Sequence, residues 1–370
     1  MNINCNSDNR RVGILTFPNS TSHGAVLQMY ALYNTIAEMN YCPEVIYYHN
    51  NYMRKLEHVS EQQKGALRSA FRMITRRLVH GKMYRGFRRF ELTMTHNPTK
   101  PFSDCERLFS LGAGYQSVIC GSDQVWNPKI TDYDISYFLN FCSSETDRIA
   151  YAPSFGFTNF SSDYDAAIAH ELSAFTAVSV RERQGQEKIK ELIGYVPELV
   201  LDPTFLIPPT QWESLETRCK VPNQYILYYS LRHADDTMRF CMEFAKKKQI
   251  PVVVVGGNMF SNLKAGANVQ YMYDTDPTQW LYLIHHASYV VTNSFHGLAF
   301  SIIYRKNFFL SLTSLTNERL ENLVSLFGLE KQIIRDGTES NDTDYAAAET
   351  VLPVMREQSL NFLKRALNHE

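Results

Sequence analysis

The sequence predicts an α/β protein of two Rossmann-like domains, each a parallel sheet flanked by helices. Three observations carry this. Apolar runs of strand length alternate with helical patterns along the whole chain. The alternation pauses at "PTFLIPPTQWESL" (203–215), which holds three prolines and reads as a linker, and then restarts. The 370 residues also exceed what one core ordinarily organises. The expected division is 1–205 and 206–370, with a basic helical insertion at about 54–100 in the first domain.

The first strand is "RVGILTF" (11–17), followed by the polar loop "PNSTSHG" (18–24) and a helix over 25–40. "PEVIYY" (43–48) is the next strand and completes a β–loop–α–β unit, which implies a parallel sheet. Further strands are read at 116–120, 148–152, 175–180 and 198–202, with a helix at 181–192. In the second half, strands are read at 224–232, 251–257 and 289–292, and helices at 235–249, 277–287, 296–304 and 317–328. The last helix, 346–367, is read as broken near Pro353 and as returning to the N-terminal domain.

Composition narrows the classes of function. Hydrophobic residues make up 44% and charged residues 20%, a globular profile, and the net charge of −1 gives no global attraction to nucleic acid. Seven scattered cysteines without a CxxC pair read as reduced thiols, not as a disulfide framework or a zinc site. The polar start "MNINCNSDNRRVG" does not read as a signal peptide, and no apolar run reaches membrane-spanning length. The expected location is the cytoplasm. Residues 54–90 are rich in Lys and Arg with apolar residues at helical spacing. That segment reads either as a solvated helical insertion or as a surface that meets anionic lipid or a lipid-linked diphosphate.

In open α/β sheets ligands bind beyond the carboxyl ends of the strands. The polar residues at those positions are Asn19, His23 and Gly24 after the first strand, and Ser122, Asp123, Gln124, Trp126 and Asn127 in "GSDQVWNP". Arg181 and Glu182 follow the strand at 175–180, Asp202 the strand at 198–202, and Asn293, Ser294, Phe295, His296 and Gly297 the strand at 289–292. Each has a plain structural reading as well: Asp123 as a turn cap, Trp126 as a core anchor, Ser294 as a helix cap, His296 as a packed residue. At "NSFHG", spacing alone leaves two uses open, a cap with a core histidine or an anion seat with an acid/base.

The chain has no GxGxxG after its first strand, no P-loop, no HExxH and no GxSxG. His285–His286 falls in a helix with no acidic or cysteine ligand at a completing distance along the sequence, so no bound metal is expected.

Several stretches, taken in order, resemble the polysaccharide pyruvyl transferase family: "GILTFPNSTSHGAVLQMYAL", "VICGSDQVWNP", "YFLNF", "RIAYAPSFG", "VSVRERQGQEKIKEL", "ELVLDPTFL" and "VVTNSFHGLAFSIIY", over roughly residues 11 to 330. The resemblance implies a GT-B-like fold, two parallel-sheet domains facing across a cleft that holds the active site. It implies phosphoenolpyruvate as donor and a sugar of a cell-envelope polysaccharide as acceptor, free or linked to a lipid diphosphate, with a pyruvate ketal and phosphate as products. No cofactor is implied, and no nucleic acid. By the same resemblance, Arg181 and His296 serve donor binding and catalysis. Ser122, Asn293, Ser294, Phe295 and Gly297 join the donor site, with Asp123 as a second acid/base. Asn19, His23, Gly24, Gln124, Trp126 and Asn127 are assigned to the acceptor, Trp126 by stacking on a sugar face. Some members carry Arg-Leu-His where this chain has Ser294, Phe295 and His296, and Arg305, Lys306 and Arg319 are the candidates to replace that cation. The acceptor in such pathways is often lipid-linked, which would place residues 54–90 against the inner face of the cytoplasmic membrane. Two other readings are a glycosyltransferase that takes a nucleotide sugar near Gly256 and Gly257, and a non-catalytic saccharide-binding cleft.

Overall fold

The computed structural model describes residues 10–18, 20–52, 81–95, 99–230, 235–256, 268–312, 317–335, 338 and 342–368. The described residues form two compact units. One is drawn from Met1–Thr75, Arg88–Leu206 and Met355–Glu370, the other from Arg76–Phe87 and Ile207–Val354.

The first unit holds β1 (Arg11–Leu15), β2 (Cys42–Val45), β3 (Ser117–Asp123), β4 (Asp147–Pro153), β5 (Ala177–Val180) and β6 (Glu198–Leu199), ordered β2-β1-β3-β4-β5-β6. Every pairing is parallel, as short apolar strands separated by helices require. The helix His23–Glu38 covers one face, and its Val26, Leu27, Ile36 and neighbours are fully buried. A cluster including Trp126, Tyr137, Phe138, Phe155 and Ile168 fills the core.

The second unit holds β7 (Ile226–Tyr229), β8 (Val252–Val255), β9 (Val269–Met272), β10 (Tyr289–Thr292) and β11 (Asn307–Leu310), ordered β11-β10-β7-β8-β9 and again parallel. The four valines of β8 are all buried, as expected of an interior strand covered on both faces. Phe244, Phe309, Met238 and Val291 belong to its core.

The proline-rich stretch at 203–215, read as a linker, holds the chain position where the two units divide and is itself helical in part. Each of its two short helices, Pro203–Phe205 and Pro209–Glu213, begins on a proline, whose missing N–H is not needed there. Trp212 of this stretch is fully buried. The sequence reading of the last helix needs correction, since it is not broken: Ala346–Asn368 is continuous with Pro353 inside it. Pro353 lies on the exposed face, where water can serve the carbonyl that loses its partner. Beyond it, Arg356 Nε donates to Phe205 O at 2.6 Å, Leu201 N donates to Ser359 Oγ at 2.9 Å, and Arg365 pairs with Glu198 at 2.7 Å.

Of the basic stretch 54–90, residues 53–80 lie outside the described residues. Residues 81–94 are helical, and Lys82 pairs with Asp274 at 3.3 Å. Among the described residues no helix is long and apolar enough to cross a membrane. The described cysteines are free, and all but Cys105 are buried. Burial pushes the Cys142 and Cys241 thiols up to about 12.

Candidate functional site

The chain runs from β1 outward to β2 and then crosses to β3, so the first sheet reverses direction between β1 and β3. The second reverses between β7 and β10, for the same reason. Such a reversal splays the connections apart and leaves a crevice beyond the carboxyl ends. Ser122 and Asp123 end β3, and Asn293 to His296 follow β10, so the sequence-selected residues stand at both reversals.

In the first unit these residues form a network. Arg181 Nη1 lies 2.6 Å from Asp202 Oδ2 and 3.3 Å from Ser122 Oγ, and its Nη2 lies 3.4 Å from Asp123 Oδ1. Ser122 Oγ donates to Asp202 Oδ2 at 2.8 Å, and Asp202 Oδ1 accepts from Thr204 N at 3.0 Å and Thr204 Oγ1 at 2.8 Å. The side chains of Arg181 and Asp202 are 1% and 0% exposed, whereas that of Asp123 is 16% exposed. Burial acts to lower the Arg181 pKa. Asp202, Asp123 and Glu182 more than offset it, so the guanidinium is held charged.

The backbone around Asp123 is unusual. Asp123 has φ 69° and Ala152, on the neighbouring strand, has φ 55°. Left-handed conformations are uncommon for residues with a Cβ and gather at functional positions. Ser154 N donates to Asp123 O at 2.8 Å, and Gln124 N donates to Asp123 Oδ1 at 2.9 Å. Ser154 Oγ donates to the buried Glu182 Oε1 at 2.6 Å and accepts from Gly156 N at 3.1 Å. Gly156 has φ 71°, and a Cβ there would clash with Asn127 Nδ2 and Gln124 Oε1, which are themselves bonded at 2.8 Å. The glycine of "APSFG" is thereby required. Ser154 was absent from the sequence-selected residues, although "PSFG" directly follows a strand.

Several assignments change. Arg181 is not an open clamp for a donor: its terminal nitrogens face Asp202, Ser122 and Asp123. Ser122 is fully buried with its hydroxyl on Asp202, so it does not reach a donor either. Trp126 cannot stack on a sugar, since it is 0% exposed, lies 4.9 Å from Phe138 in a stacked pair, and donates Nε1–H to Tyr137 O at 3.0 Å. Asn127 is mostly buried and caps the helix Pro128–Thr131 through Oδ1. His23 and Gly24 form the first turn of the helix after β1, with His23 7% exposed. Asn19 and Gly257 lie outside the described residues.

In the second unit Ser294 caps the helix Phe295–Ile303, its Oγ accepting from Gly297 N at 3.3 Å. Ser294 N donates to Thr292 Oγ1 at 3.0 Å, and Thr292 Oγ1 donates to Tyr229 O at 2.7 Å, which ties the cap to the end of β7. The Tyr229 hydroxyl is raised by burial and partly relieved by its hydrogen bond with Ser294. Gly297 admits no Cβ, which would clash with Thr292 Oγ1. His296 is 7% exposed in the first turn, its ring edge-on to Phe295 at 5.3 Å. Asn293 is also 7% exposed. At "NSFHG" the serine is a cap, as the plain structural reading expects, and a buried histidine stands in the first turn of the helix.

The replacement cations separate by topology. Arg305 and Lys306 follow the end of the helix Phe295–Ile303 and lead into β11, at the amino-terminal edge of the sheet. There Arg305 pairs with Glu349 at 3.0 Å and Lys306 Nζ donates to His285 O at 2.7 Å. Neither can stand in for a cation beside His296. Arg319 lies in the helix after β11, beyond the carboxyl edge.

The reading of His285–His286 as lacking an acidic companion is also corrected. Glu216, 69 residues away from His285, meets both rings with its carboxylate, Oε1 2.7 Å from His285 Nδ1 and Oε2 3.0 Å from His286 Nε2. Sequence spacing carries no trace of a contact at that separation.

A family profile described as polysaccharide pyruvyl transferase matches residues 23–313. No curated protein matches the chain. Among solved structures, S. aureus MnaA with UDP aligns at TM-score 0.52 and 10% identity, covering 95% of this chain and 90% of that one. UDP-GlcNAc 2-epimerase from Neisseria meningitidis, bound to UDP-GlcNAc, aligns at TM-score 0.50 and 11% identity, covering 97% of each chain. At such identities the likeness shows the fold alone, and that fold is GT-B.

Proposed function

The chain belongs to the polysaccharide pyruvyl transferase family, and from that premise we propose that it moves the enolpyruvyl group of phosphoenolpyruvate onto two hydroxyls of a cell-envelope saccharide, forming a pyruvate ketal and releasing phosphate. The observation that carries this reading is the end of β10, where a helix start and a histidine stand together at the reversal of the sheet. A small, highly charged anion suits a helix N-terminus, and an imidazole can give and take a proton near neutral pH.

The chemistry assigns roles. A proton goes to the donor's methylene carbon, which becomes the methyl group, and an oxocarbenium-like centre forms at the neighbouring carbon. One sugar hydroxyl attacks that carbon and loses its proton. A second hydroxyl then replaces phosphate at the same carbon. Of the two hydroxyl protons, one balances the proton delivered to the methylene and the other leaves with phosphate. His296 is the acid/base for the donor, and Asp123 the base for an acceptor hydroxyl. Arg181 is a positioning residue: it steadies Asp123 while anchored on Asp202. Arg319 is the cation that draws in the donor's phosphate. Gln124, His23 and Gly24 remain the acceptor-side residues.

If the acceptor is lipid-linked, residues 54–90 hold the enzyme at an anionic membrane face; salt-sensitive binding to anionic but not neutral vesicles supports this, and equal binding to both refutes it. The transfer itself is tested by release of phosphate from phosphoenolpyruvate in the presence of a fractionated pool of envelope saccharides. Release that depends on a saccharide fraction, and disappears with His296→Gln, is the expected result. Saccharide-dependent release that persists unchanged in that variant sinks the assignment of His296.

A further inference from the structure

Glu216, His285 and His286 form a group of metal-competent side chains among the described residues, with their ligand atoms all within 4.8 Å of one another. It lies away from the site described above. His286 precedes β10 at the amino-terminal edge of the second sheet, whereas Ser294 to His296 follow β10 at the opposite edge. We propose that Glu216, His285 and His286 bind a divalent transition metal, zinc above all, which fastens the stretch after the helix Pro209–Glu213 to the end of the helix Pro277–His285.

The donor set decides the metal class. Two imidazole nitrogens and one carboxylate suit zinc and its neighbours, and not calcium or magnesium, which want oxygen alone. The geometry is close to that of a loaded site. Nitrogen and oxygen ligands on a tetrahedral zinc stand about 3.3 Å apart for bonds near 2.05 Å. Here the carboxylate oxygens stand 2.7 Å and 3.0 Å from the two nitrogens, so a small outward rotation of each ring admits the ion. Glu216 is 10% exposed and His285 30%, while His286 at 46% keeps one side open to a water ligand.

Both rings are held in place before any ion arrives. Tyr304 stacks on His285 with centroids 4.4 Å apart and planes 15° apart, and Tyr282 lies against His286 at 4.2 Å. Lys306 Nζ fixes the His285 carbonyl at 2.7 Å. Supports of this kind orient ligands and sharpen affinity. The stretch after Glu213 is also joined to the start of the helix Pro277–His285, by the backbone bond Thr217 N to Thr278 O at 3.1 Å and the side-chain bond Thr278 Oγ1 to Thr217 Oγ1 at 2.9 Å. A metal here would tighten a seam that already exists.

The test is calorimetric titration of the chelator-stripped full-length protein with zinc chloride, followed by cobalt(II) as a spectroscopic substitute. The expected result is one equivalent of saturable zinc binding, a rise in the unfolding midpoint, and a cobalt spectrum without thiolate charge-transfer bands. His286→Asn, at an exposed position that leaves folding intact, and Glu216→Gln each weaken zinc at least about tenfold. No saturable binding, or binding unchanged in both variants, overturns the proposal and leaves a carboxylate hydrogen-bonded by two imidazoles. The result is independent of whether the chain transfers pyruvyl groups.

Discussion

Arg181 grips Asp202 at 2.6 Å with both side chains closed to solvent. The pair sits beneath Asp123, the most exposed of the three at 16%. A buried charge stripped of its partner is more costly than the pair was beneficial. Asp202→Asn is therefore expected to destabilise the fold by ~3–5 kcal/mol in urea unfolding. Asp123→Asn should cost much less stability but lower turnover on the order of 10²–10⁴-fold. The reverse ordering of the two variants in stability would mean that the anchor has been misassigned.

His296→Gln is expected to lower kcat by a factor on the order of 10²–10⁴ while phosphoenolpyruvate still stabilises the fold. Retention of binding with loss of turnover separates an acid/base from a donor-holding residue. Gly297→Ala should damage both, because a Cβ there collides with Thr292 and shifts the helix start. Near-normal binding in Gly297→Ala would show that the helix start is not the donor's seat.

Arg319→Ala is expected to raise the KM for phosphoenolpyruvate by about tenfold or more, the scale of one charge-assisted hydrogen bond. Arg305→Ala should leave that KM unchanged, since its guanidinium pairs with Glu349 at the other edge of the sheet. Equal effects from the two substitutions would contradict the topological argument.

Trp126→Ala should cost ~3–5 kcal/mol, as a large side chain removed from a closed core. Trp126→Phe should leave the acceptor KM unchanged. A raised acceptor KM in a Trp126→Phe protein of unchanged melting behaviour would restore the sugar-stacking role that the structure removes.

What the sequence disclosed follows from what is local. The β10 strand and the cap at Ser294 were legible because an apolar run, a polar break and a helical pattern follow one another without interruption. β9 and β11 went unread. β9 is half-buried throughout, and "NFFL" of β11 directly follows a cationic turn without its own punctuation. Site positions were legible as strand ends, but the direction of each side chain was not. Arg181 looks the same in sequence whether it faces a ligand or two carboxylates, and Asp202 and Asp123 reach it only through the order of β3, β5 and β6. Trp126 next to a candidate base suggested a sugar platform, yet its partners Phe138 and Phe155 come from later segments. Glu216 beside His285 is the extreme case, a contact made entirely by the fold.

The most direct test of the central claim is the unfolding midpoint with and without phosphoenolpyruvate, beside uridine and guanosine diphosphates. A ligand that binds the folded state alone must raise that midpoint once it exceeds its dissociation constant. The account predicts a rise with phosphoenolpyruvate that shrinks in Arg319→Ala and persists in His296→Gln, and no rise with either nucleotide. A rise with a nucleoside diphosphate and none with phosphoenolpyruvate would contradict it and make the chain a user of nucleotide sugars.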